Sequence, residues 1–106
     1  MAHVHLVVDA VLVDETTQFS LAELCRACQA DSAQLVALVD EGVLQPSGEQ
    51  RDEWRFSGSA LQRARAALRL SRDLDLNVSG TALVLDLLDQ IAALRAKLHR
   101  AGAGPR

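Results

Sequence analysis

Between Phe19 and Phe56 the apolar positions fall into short periodic blocks separated by polar breaks. Leu21, Leu24, Cys25 and Cys28 recur at i, i+3, i+4 and i+7 behind Ser20, and Glu23 is placed to bond back to the Ser20 amide. That pattern predicts a helix starting at Ser20 with a capping box. The polar residues Gln29 to Ser32 form a turn in which Asp31 or Ser32 can cap a second helix, with the apolar face Leu35, Leu38 and Val39 and a stop at Gly42. Val43, Leu44 and Gln45 read as one strand of a hairpin, Pro46 to Glu53 as its connection and tip, and Trp54, Arg55 and Phe56 as the return. A strand places Trp54 and Phe56 on one face, and at least one ring is expected in the core. Two short helices, a tight turn and a hairpin are the order of elements in a winged helix-turn-helix.

On the N-terminal side the run His3 to Val13 is rich in β-branched residues and predicts a strand that pairs with the wing, joined to the first helix by the polar residues Asp14 to Gln18. On the C-terminal side Ser57 is expected to cap a third helix from about Ser59 to Leu74 with the apolar line Leu61, Ala64 and Leu68. Gln62, Arg65, Arg69 and Arg72 form a second stripe on it, either a solvated basic face or a set of phosphate contacts. Leu74, Leu76 and Val78 link to a last helix over residues 79–98, capped by Ser79. In that helix Val84, Leu87, Ile91, Leu94 and Leu98 are spaced 3, 4, 3, 4, the pattern of a coiled-coil seam, with Leu83, Leu85 and Leu88 adding apolar surface beside it. One small domain cannot cover so much apolar surface, so this helix is expected to dimerise the chain. The fold expected is therefore mainly α: a winged helix-turn-helix over residues 19–74 with a small antiparallel β wing, a C-terminal dimerisation helix, and a frayed tail over residues 101–106.

Composition agrees. With 106 residues, one Trp, two Phe and no Tyr, the chain reads as a single helical domain, residues 1–106. The net charge of −3 conceals a split. Residues 1–57 carry 3 basic and 10 acidic side chains, a balance of −7, and residues 58–106 carry 8 and 4, a balance of +4. The second helix exposes Gln34, Ala37, Asp40 and Glu41, whereas a DNA-reading helix carries Arg, Lys, Asn or Gln, so only Gln34 qualifies. An acidic helix-turn-helix repels a polyanion and attracts a basic protein surface. The candidate partner contacts are Asp31, Gln34, Asp40 and Glu41, with Glu49, Asp52 and Glu53 of the wing as a second group.

Catalytic chemistry is not expected. The sequence has no G-x-S-x-G, no phosphate-cradling glycine loop and no nucleophile-and-base spacing. Cys25-Arg26-Ala27-Cys28 is a C-x-x-C, and His3 and His5 alternate in a strand, a conceivable zinc set. Both cysteines nevertheless lie on the apolar face of the first helix and are read as core residues, with no metal and no cofactor. No apolar run reaches the length of a membrane span and no leader pattern is apparent, so a cytoplasmic location is expected.

The blocks F-S-L-A-E-L-C, E-G-V-L-Q-P, W-R-F, L-R-L-S-R-D-L-D-L and L-L-D-Q-I-A-A-L-R-A-K-L, in that order, give a chain that resembles the chaperone-modulatory CbpM family, a branch of the MerR-like winged helices. The resemblance runs from about Phe19 to Leu98. It implies a protein that binds the J-domain of the DnaJ-like co-chaperone CbpA and blocks its work with the DnaK chaperone. The contact residues above come from charge and not from a family motif. The alternative reading is a MerR-like DNA-binding transcriptional regulator, since the same fold serves either ligand.

Overall fold

The computed structural model describes residues 16–102 in full and residues 5–8 and 11–14 as backbone. In chain order the elements are β1 (His5–Val8), β2 (Val11–Asp14), β3 (Gln18–Phe19), α1 (Leu21–Cys28), α2 (Ser32–Asp40), a 3-10 turn (Arg51–Glu53), β4 (Phe56–Ser57), α3 (Gly58–Leu74) and α4 (Val78–Arg100).

The helix-turn-helix is set by its caps. Ser20 N donates to Glu23 Oε1 at 2.8 Å and Glu23 N to Ser20 Oγ at 3.1 Å, the reciprocal box that starts α1. The backbone and hydroxyl hydrogen bonds from Ser20 hold the Glu23 carboxyl below its ordinary range. Gln29, left-handed at φ 54°, ends the helix. Asp31, and not Ser32, then caps α2: its Oδ1 accepts from Gln34 N at 2.9 Å while its amide donates to Gln34 Oε1 at 3.1 Å. At the other end of α2, Gly42 takes φ +79° with open space around it, so conformation rather than room calls for glycine.

Three expectations are corrected here. The N-terminal run is not a single strand against the wing. β1 and β2 pair with each other, antiparallel, His5 opposite Asp14 and Val8 opposite Val11, so each satisfies the other's backbone in place of the wing. His3, Asp9 and Ala10 lie outside the described residues. The wing pairs instead with β3, from the segment read as a polar connection: Gln18 lies opposite Ser57 and Phe19 opposite Phe56. Second, Val43 and Leu44 are not a strand. Both amides donate to Leu38 O, at 2.9 and 3.4 Å, closing the end of α2, and both side chains are buried. The wing hairpin reduces to one bridge, Ser47 to Arg55. Third, Asn77 caps α4 through its side chain to Gly80 N at 2.7 Å, which leaves the Ser79 hydroxyl free for a different partner.

The core gathers Leu24 from α1, Leu35 and Leu38 from α2, Val43, Leu44 and Phe56 from the wing region, Leu61, Ala64 and Ala67 from α3, and Leu85 from α4. Phe56 is fully buried and meets half-buried Trp54 edge to face, with ring centres 6.0 Å apart. Leu85, expected beside the seam, belongs to this core. At 100° per residue it faces away from Leu87, Ile91, Leu94 and Leu98, which are exposed, as are Leu83 and Leu88, while Val84 at the edge is half-buried. Among the described residues the inward face of α4 thus meets its own domain along its first half, as far as Asp89, and the seam points outward. The basic stripe of α3 is divided: Arg65 Nη1 donates to Ala27 O at 2.6 Å at the end of α1, whereas Gln62, Arg69 and Arg72 are exposed. The tail expected to fray begins with a turn at Ala101–Gly102, and the rest lies outside the described residues.

Candidate protein-binding surface

The acids singled out by charge sit at three places. Asp31 and Gln34 are exposed at the start of α2, where their side chains serve each other's amides in the capping box. Asp40 and Glu41 are exposed at its far end, about 13 Å along the axis. Glu49, Asp52 and Glu53 are exposed on the wing.

The end of α2 is the informative one. A helix C-terminus carries partial negative charge and is stabilised by basic residues, yet the last turn of α2 contains none and instead ends on Asp40 with Glu41 as its C-cap. Each carboxylate there costs the helix roughly 0.3–1 kcal/mol. α1, by contrast, places Arg26 in its last turn, where the dipole favours it. The end of α2 therefore runs against the dipole preference that the end of α1 follows. Asp40 has no side-chain partner among the described residues, and Glu41 Oε1 accepts a hydrogen bond from Ser79 Oγ at 2.6 Å.

The wing tip is closed by its own hydrogen bonds. Ser47 and Arg55 exchange two backbone bonds of 3.0 Å, and Gln50 N donates to Glu53 Oε1 at 3.1 Å. Gly48, at φ +100°, lies so close to the Glu53 carbonyl that a Cβ would stand 2.6 Å from its oxygen. Any other residue there would push the tip open. Arg51 lies over the Trp54 ring at 5.9 Å.

Two residues of the site escaped sequence reasoning. Ser79 reaches Glu41 across 38 positions, and Arg63 joins three elements: its Nε donates to Val43 O at 2.9 Å, and its Nη1 and Nη2 meet the two Asp89 oxygens at 3.3 and 2.9 Å. Neither partner is within a helical turn, so no local pattern could have announced them. An open groove of about 680 Å³ runs along this junction, between Val43 and Leu44, Ala60 and Arg63 of α3, and Leu85 and Asp89 of α4.

Cys25 and Cys28 are free thiols packed against the core. Burial pushes both upward, Cys28 to about 11, so they behave as small apolar groups and not as nucleophiles. Among the described residues no three His, Cys, Asp or Glu side chains converge on a metal position, and no helix is long and apolar enough to cross a membrane.

Comparison with known proteins gives a consistent picture. Residues 19–101 match the profile of a family described as MerR HTH family regulatory protein. The chain is 34% identical over 80 residues to the chaperone modulatory protein CbpM of Pseudomonas putida strain W619, covering 76% of this chain and 79% of that protein. It is 28% identical over 93 residues to CbpM of Coxiella burnetii strain Dugway 5J108-111, covering 88% of each, and 30% identical over 80 residues to CbpM of Pseudomonas entomophila strain L48, covering 76% and 79%.

Proposed function

Because the chain belongs to the MerR-type helix-turn-helix family and, within it, to the chaperone modulatory proteins named CbpM, we propose that it modulates a chaperone system by binding the J-domain of a CbpA-type, DnaJ-like co-chaperone. The observation that carries this reading is the pair Asp40 and Glu41 at the negative end of α2, where a stable helix needs bases and where added acids repel a polyanion. A J-domain must offer a basic surface to DnaK. An acidic helix-turn-helix that occupies the same surface competes with DnaK and lowers co-chaperone activity without any catalytic step. The cytoplasm, where such a co-chaperone works, is the expected site of action.

Exposed charges of this kind act over a Debye length of roughly 8–10 Å and chiefly raise the association rate. Affinity then needs an apolar or aromatic anchor beside them, and the half-buried Trp54 at the base of the acidic wing is the side chain of that type nearest to hand. We also infer a homodimer through Val84, Leu87, Ile91, Leu94 and Leu98. The outward aim of this seam supports it, since Leu87, Ile91, Leu94 and Leu98 are left exposed by the described residues of the chain's own domain.

Titration of a purified J-domain at low and high salt is the direct test, with binding expected to weaken as salt rises. The regulator alternative would instead show tight, sequence-dependent binding to genomic DNA fragments, and that result would displace the co-chaperone reading.

A further inference from the structure

Glu41 is held from outside the helix-turn-helix. Ser79, in the first turn of α4, donates its hydroxyl to Glu41 Oε1 at 2.6 Å. Two residues further along the same corner, Val43 O accepts from Arg63 Nε at 2.9 Å, and the guanidinium of Arg63 is itself clamped on Asp89 of α4. The corner Glu41–Val43, with left-handed Gly42 between its ends, is thus tied directly to α4 at Glu41 and, through Arg63 of α3, to α4 again at Val43. Asp40, one residue earlier, has no such tie among the described residues.

The chemistry of the tie matters. An ionised carboxylate has two oxygens with about four acceptor sites, so a single hydroxyl on Oε1 fixes the carboxylate while leaving Oε2 open to a cation. A glutamate already fixed loses less side-chain freedom when it captures a Lys or Arg than a freely rotating one does. We propose that Ser79 is a positioning residue for the capture of a basic side chain by Glu41, with the Arg63–Asp89 pair holding the corner against α4. This deepens the co-chaperone reading and rests on it. It adds a residue that touches no partner and lies far along the chain from the acidic surface, yet sets how one of its charges is presented.

The test is calorimetry of the full chain against a purified J-domain for Ser79→Ala, Ser79→Thr, Glu41→Ala and the Ser79→Ala/Glu41→Ala double variant. Ser79→Ala is expected to weaken binding about three- to tenfold, the value of one immobilised side chain. Ser79→Thr, which keeps the hydroxyl, should restore it. The double variant should bind no more weakly than Glu41→Ala alone, because the serine acts only through the carboxylate. A merely structural serine would also be rescued by threonine, but its loss would add in full to that of Glu41→Ala. The proposal is overturned if Ser79→Ala binds as the wild type does, or if its loss adds in full to that of Glu41→Ala. Binding indifferent to both residues removes the proposal and leaves the co-chaperone reading standing, whereas no J-domain binding by the wild type removes both.

Discussion

Replacing Leu94 by aspartate separates the cost to a dimer from the cost to the fold. In the single chain Leu94 is 59% exposed and Ile91 46%, so a carboxylate at either position stands in water and disturbs no core contact. In a twofold pair the change occurs twice. Each leucine passing from half-exposed to covered contributes about 1 kcal/mol, half of the 1.5–3 kcal/mol for complete burial of such a side chain. The substitution forfeits that and sets a charge among the leucines of the second copy, at a further cost of a few kcal/mol. Doubled by symmetry, the loss is about 5 kcal/mol or more, over three orders of magnitude in the dissociation constant. Sedimentation velocity over a concentration series should show a dimer for the wild type and a monomer for Leu94→Asp, with Ile91→Asp behaving alike. Leu74→Asp is the control, since Leu74 is also 59% exposed but lies at the end of α3, away from the seam, and should leave the dimer intact. A wild type that stays monomeric throughout, or a Leu94→Asp protein that still dimerises, would refute the seam.

Other predictions follow from the same geometry. Asp40→Lys should weaken J-domain binding by about 1–3 kcal/mol and at the same time raise folding stability by roughly 0.6–2 kcal/mol, because it removes an acid from the negative end of α2 and puts a base there; denaturant melts alongside calorimetry check both signs. Phe56→Ala, at a fully buried ring, should cost about 3–5 kcal/mol in the same melts. Cys28, raised from 9.0 to about 11, should alkylate roughly a hundredfold more slowly in the folded than in the unfolded chain near pH 8. The sign of its effect on stability follows: the folded state keeps the thiol proton that the unfolded state gives up, so this contribution is intact below about pH 9 and is lost as pH climbs toward 11.

The parts of this molecule that could be read from sequence are those governed by neighbours a few positions apart. The Ser20–Glu23 box, the apolar faces of α1 and α2 and the 3, 4, 3, 4 repeat of α4 are all of that kind. Pairings between distant segments were not legible. Val43 and Leu44 have the composition of a strand, and only the open carbonyl of Leu38 decides that they turn inward to close a helix. Gln18 and Phe19 are too short a stretch to announce themselves as the partner of Phe56. In the surface the acids were visible as charge, but charge alone could not tell Asp31, whose carboxylate caps its own helix, from Asp40, which has no partner among the described residues. Nor could it find Ser79, which looked like a cap until Asn77 took that role.

The way α4 leaves its domain has a consequence for how the chain orders itself. Beyond Asp89, which holds Arg63 of α3, about three turns of helix make no side-chain tie to another element among the described residues, Gln90 bonding only back to Asp86 of the same helix. That is shorter than the roughly 12–15 residues an isolated helix needs, although the anchored first half supplies the nucleus. In a lone chain these turns should unwind from the tip inward, with amide hydrogens exchanging faster at each position toward Arg100. The seam lies largely on this stretch, so the proposed pairing with a second copy would complete the helix in the same event. Dilution should then be visible as helicity lost from the tip as well as mass lost from the assembly.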